Sequence, residues 1–120
     1  MNTNERRYRQ IPRMTRAEIE QALDSNNNEA IAEAILSAAL HDPDWRWTQG
    51  ACLRLFSNPD ANVRRAAIVG IGHLARIHRT LDWDLVLPKL ATLKNDDAVR
   101  GTVEDTLDDI RVFWDRKSAI

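Results

Sequence analysis

Cysteine is almost missing from this chain: Cys52 stands alone among 120 residues. No intramolecular disulfide can form, and a cysteine-ligated zinc site is excluded. Long apolar runs are missing too. None approaches the ~20 residues that a membrane-spanning helix needs, and no apolar stretch follows the polar, arginine-rich N-terminus to serve as a signal peptide. A cytoplasmic protein with no membrane partner is therefore expected. Net charge is close to zero, with 17 lysines and arginines against 18 aspartates and glutamates. A strong global field for nucleic acid or membrane is absent, and a nucleic-acid partner is not expected. Nor is there a glycine-rich phosphate loop, a Gly-x-Ser-x-Gly elbow or a His-Glu dipeptide. His73 and His78 lie five apart on one helix, not at the three- or four-residue spacing of helical metal ligands, and His41 falls in a turn. No catalytic, metal or cofactor site is expected, and no small-molecule substrate; the chain does not read as an enzyme.

What is present is helical periodicity. Thr15 and Glu18 are spaced as a capping box, opening a short helix with Ile19, Ala22 and Leu23 on one face. Residues 29–40 are alanine-rich, with an apolar stripe at helical spacing. Asp42 and Pro43 are placed to cap and open the next helix, over 43–57. A long helix is expected over 61–78, with Val63, Ala67, Gly70, Ile71 and Leu74 on one face. Gly70 reads as a close helix crossing, since glycine there costs about 1 kcal/mol against alanine. A shorter helix over 85–94 turns Leu87, Leu90 and Leu93 inward, and a last helix spans 97–114. Strand patterning is absent throughout.

These helices repeat. Val63 and Val99, Arg64 and Arg100, Ala67 and Val103, Ile71 and Leu107, and Leu74 and Ile110 share an offset of 36 residues. A repeated helix pair of this length indicates an α-solenoid. The expectation is an all-α fold of about six helices: a short right-handed solenoid over 15–120, preceded by a basic arm over 1–14. That arm and its border hold Arg6, Arg7, Arg9, Arg13 and Arg16 against Glu5 alone. A solubilising arm is one reading of it and a nucleic-acid contact the weaker other.

The run Asp60-Ala-Asn-Val63-Arg64-Arg-Ala66-Ala67, followed by Gly70 to Leu74, and the second corner Asn95-Asp96-Asp97 with Val99-Arg100, resemble the HEAT-repeat family. The resemblance implies that the aspartate caps each repeat and that the arginine bonds neighbouring corner carbonyls or acids. Gly101 and Thr102 depart from it, standing where an alanine pair is usual. By size, isolation and surface composition the chain is also similar to the small immunity proteins of bacterial contact-dependent and polymorphic toxin systems, an analogy of fold carried by no motif.

Two features bear on binding. Trp45 and Trp47 point about 200° apart on one helix. Trp45, Cys52, Leu55 and Phe56 claim the inside, which leaves Trp47 at least half-exposed. Trp83 sits at a corner between Asp82 and Asp84, and Trp114 ends the last helix. Trp83 and Trp114 read as end caps of the array, or Trp47 and Trp83 as interface anchors of the kind enriched at binding hot spots. Residues 95–115 carry seven acids against Arg100 and Arg111; Asp105, Asp108 and Asp109 lie off the inner face. They form either a solvated helix face or a patch for a basic partner. The candidate partner-binding set is Trp47, Trp83, Asp84, Asp105, Asp108 and Asp109. The leading functional expectation is an immunity protein that neutralises a cognate toxin, a basic nuclease, by stoichiometric binding. The alternatives are a general HEAT adaptor and a bilin-lyase-like HEAT protein.

Overall fold

The computed structural model describes residues 11–118, with side chains through 112. Arg6, Arg7, Arg9 and the side chain of Trp114 therefore lie outside the described residues. The described residues form six α-helices: α1 Arg16–Leu23, α2 Asn28–His41, α3 Trp45–Leu55, α4 Ala61–His78, α5 Trp83–Thr92 and α6 Arg100–Ser118, with a 3-10 turn at Leu93–Asn95. No strand occurs among the described residues, and no helix among them is long and apolar enough to cross a membrane.

Helix α4 is the centre. Both α2 and α6 pack along it, α3 lies against both α2 and α4, and α1 rests on α2. The cause is the apolar stripe of α4: Val63, Ala67, Gly70, Ile71 and Leu74 are all buried. Gly70 is the crossing point. A methyl group there would stand 3.1 Å from Cys52 Sγ and 3.6 Å from Ala39 Cβ, so α3 and α2 both approach the helix where it has no side chain. Burial pushes the Cys52 thiol up to about 12, which makes it a packing group and not a nucleophile. A second, smaller cluster joins Ile19, Ala34 and Ala38 to Met14, Leu23 and Trp47 beneath α1.

The two repeat corners share their chemistry. Asp60 Oδ1 accepts from Asn62 N at 3.1 Å, and Asp96 Oδ1 accepts from Ala98 N at 3.1 Å. Arg64 Nη1 donates to Asn58 O at 2.7 Å and to Pro59 O at 3.0 Å, while Arg100 Nε donates to Lys94 O at 2.9 Å. Each arginine thus reaches back six residues. Arg64 Nε also stands 2.9 Å from Asp96 Oδ2 across to the next corner. That contact is an ion pair, not an aligned hydrogen bond, because Nε–H has no hydrogen-bond acceptor.

Three expected boundaries shift. Helix α3 begins at Trp45, two residues after Pro43, because Asp44 is the cap, its Oδ1 accepting from Trp47 N at 3.1 Å. Asp42 instead closes α2 and accepts from Asp44 N at 2.8 Å. Helix α5 begins at Trp83, and its inward pair is Val86 and Leu90, four apart; Leu87, 39% exposed, faces out. Leu90 and Leu93 pack on the core as expected, and Val86 takes the inward place expected of Leu87. Helix α6 begins at Arg100, because Asp96 holds 97–99 in a turn through its carboxylate and through its carbonyl, which accepts from Val99 N.

Residues before α1 are tied to the body. Met14 N donates to Ser37 Oγ at 3.1 Å, and His41 Nε2 donates to Ile11 O at 3.1 Å. Arg16 grips Asp42 through Nε and Nη2, at 3.2 and 3.3 Å. Burial would raise the Asp42 carboxyl. The Arg16 hydrogen bond, the Asp44 amide and the charges of Arg16 and His78 outweigh it, so the group lies below its ordinary 3.8. A depressed carboxyl contributes stability that is present above the unfolded value and lost as pH falls through the folded one. Asp42→Asn is therefore expected to melt at lower temperature than the natural chain at pH 7, and the gap is expected to close below the ordinary aspartate value. Thermal melts at pH 7 and pH 3 check this; a gap of constant size would show that the charge of Asp42 contributes nothing.

Candidate partner-binding surface

Helix α3 carries its two tryptophans to different clusters. Trp45 is half-buried against the main core, and Trp47 is half-buried against the smaller one. Each has an arginine over its ring: Arg46 lies 4.7 Å from the centroid of Trp45, and Arg16 lies 3.8 Å from that of Trp47. Trp47 lines a groove of about 370 Å³ between α1 and α3, with Glu20, Asp24 and Arg54 at its edges.

Trp83 is the first residue of α5, half-buried against the core. The corner beneath it is fixed by Gln49, which is buried. Gln49 Nε2 donates to Asp82 Oδ2 at 2.8 Å, and Gln49 Oε1 accepts from Asp82 N at 2.8 Å. This hydrogen bond, with the nearby charge of Arg46, holds the Asp82 carboxyl below its ordinary value. Trp83 lines a second groove, of about 450 Å³, with Leu87, Leu107, Ile110 and Arg111. Asp84 is exposed on the first turn of α5. Asp108 is exposed beside that groove, paired with Arg111 at 3.4 Å.

Asp105 and Asp109 are exposed elsewhere. They line a groove of about 640 Å³ between α4 and α6, opposite Arg65, His73 and Arg76. Helix α6 approaches α4 closely there: a methyl on Gly72 would stand 3.4 Å from Thr106 Cγ2. Burial, and then the charge of Arg76, lower the pKa of His73.

Four of the six expected contact residues thus line grooves. Trp83 lines one, Asp105 and Asp109 share another, and Trp47 lines a third; Asp84 and Asp108 line none of them. The α4 wall of the α4–α6 groove was not singled out from sequence. Its signal is the spacing 65–69–72–73–76 on α4, but nothing local says that α6 lies alongside. Among the described residues no group of three or more His, Cys, Asp or Glu side chains could hold a metal ion.

No protein-family model matches the chain, so the HEAT resemblance rests on its own Asp-x-x-Val-Arg corners, and no curated protein matches it. A solved structure does. The crystal structure of a CDI complex from Cupriavidus taiwanensis LMG 19424 contains a chain 36% identical to this one, with a TM-score of 0.81. The match covers 88% of this chain and 96% of that chain. At that identity and coverage, this chain belongs to the same family as that component of the CDI complex.

Proposed function

We propose that this protein is the immunity member of a contact-dependent growth inhibition pair. In this reading it binds the toxin delivered by a neighbouring cell, one to one and without turnover, in the cytoplasm, and covers the toxin's active site. The observation that carries the reading is the 36% identity, over nearly the whole of both chains, to a chain of a CDI complex. The surface supports a basic target. Helix α6 exposes Glu104, Asp105, Asp108 and Asp109, with Arg111 as the cation between 104 and 112. Nucleases carry basic surfaces because they bind phosphate, and an acidic inhibitor would dock on one quickly.

The test is protection. The candidate toxin domain, sought in the reading frame next to this gene, is expressed from an inducible promoter, with and without this protein. Growth arrest relieved by co-expression, together with a one-to-one complex in size-exclusion chromatography, is the expected result. Arrest that persists, with no complex formed, overturns the proposal. A fixed partner that is harmless when expressed alone would favour a scaffold role instead.

A further inference from the structure

The groove between α4 and α6 carries opposite charges on its two walls that do not neutralise each other. On the α6 wall, Asp105 and Asp109 lie four residues apart on one face of the helix, both exposed and neither in an ion pair among the described residues. On the α4 wall, Arg76 is exposed, and its Nη2 meets His73 Nδ1 at 3.2 Å. A guanidinium can only donate, so Nδ1 is the acceptor there and the ring proton sits on Nε2. His73, which lines the same wall, thus carries a second donor there, and burial, then the charge of Arg76, disfavours its charged form. The floor is kept low by Gly72. From residue 65 to residue 76 the α4 wall rises about 16 Å, at 1.5 Å per residue. That is room for about three turns of a helix laid in the groove.

A surface built to attract a basic partner and nothing more would hold carboxylates on both walls. Here a purely basic segment would meet Arg76 face to face, and like charges brought together at an interface disfavour the complex. Resting on the immunity reading above, we propose that the α4–α6 groove docks a segment of the toxin that carries basic and acidic side chains side by side. The basic side chain faces Asp105 and Asp109. The acidic one faces the guanidinium of Arg76 and the Nε2–H of His73. Two opposed charge contacts across one groove fix the direction in which the segment lies, which a single acidic patch cannot do. They also give a means of telling a cognate toxin from one whose charges run the other way.

The experiment uses the full chain and a catalytically inactivated form of the toxin domain identified by the protection test above. Binding is titrated by calorimetry for the natural chain, for Asp105→Lys with Asp109→Lys, and for Arg76→Glu. All three positions are exposed, and an unchanged melting temperature confirms that each variant folds. Asp109→Asn and Arg76→Gln stand in if a reversal unfolds the protein. The expected result is that each reversal weakens binding by about tenfold or more, while Glu29→Lys, exposed on α2 and outside the three grooves, stays within about twofold. Loss in the aspartate variant alone would mean that a plainly basic segment binds, and loss in the arginine variant alone a plainly acidic one; either overturns the two-sided groove and leaves the immunity reading intact. Normal binding by both variants moves the interface elsewhere. If the natural chain itself binds no toxin, the immunity reading falls and this one with it.

Discussion

Leu74→Ala is expected to lower the unfolding free energy by about 2–5 kcal/mol, the range for truncating a leucine in a sealed core. Leu74 is 0% exposed. It lies on the stripe of α4 that faces the main core, and α4 is the helix that α2, α3 and α6 all use as their floor. The surroundings cannot easily collapse into the space left behind, because helices converge there from several sides. Ile110, its counterpart in the second copy, retains 8% exposure and has no further repeat outside it among the described residues. Ile110→Ala is accordingly expected to cost less than Leu74→Ala. Urea unfolding followed by circular dichroism measures both. A loss below about 1 kcal/mol at Leu74 would place that side chain outside the sealed core.

The repeat was legible because its causes are local. Val63 and Val99 are both buried, Asp60 and Asp96 both accept from an amide two residues on, and Arg64 and Arg100 both reach back six residues to a corner carbonyl. Short-range contacts of this kind depend only on the neighbouring sequence, so a repeated sequence repeats them. Gly70 was legible for the same reason: its cost within a helix needs an explanation, and a close crossing is the commonest one.

What the sequence concealed depends on distant partners. On α5, Leu90 and Leu93 were placed correctly, but Val86 and not Leu87 is the inward residue of the first turn. Leu-rich runs supply apolar residues at several registers, and only the docking of Val86 and Leu90 chooses between them. Gln49 was passed over because its value lies in Asp82, 33 residues on. The divergence of Trp45 and Trp47 followed from helical geometry, but the arginine that covers Trp47 comes from α1 and could not be foreseen. The acids of α6 were found, yet which of them face a groove is set by which helix lies on each side. Asp105 and Asp109 look across to α4; Asp108 stays with Arg111, on the side of α5.

The equivalence of the two corner arginines has its own consequence. Arg64 and Arg100 occupy the same place in the repeat but not the same environment. Arg64 retains 17% side-chain exposure, donates to two corner carbonyls and stands 2.9 Å from Asp96. Arg100 retains 50%, donates to Lys94 O and is paired with Asp97, its neighbour three residues back, whose carboxylate is 87% exposed. Removing Arg64 leaves the Asn58 and Pro59 carbonyls without their charged donor and Asp96 without its cation, and hydrogen bonds to charged groups contribute about 1.5–3 kcal/mol. Removing Arg100 breaks one bond and one solvated ion pair, and such exposed pairs contribute at most about 1 kcal/mol. Arg64→Ala is therefore expected to destabilise by about 2–3 kcal/mol and Arg100→Ala by less than about 1 kcal/mol. Arg64→Lys should recover little of the loss, because an ammonium cannot reach two carbonyls and a carboxylate with a planar fork. The comparison is made by urea unfolding of the three variants beside the natural chain. Equal losses at Arg64 and Arg100 would mean that the sequence repeat, and not the burial of the corner, decides what the arginine contributes.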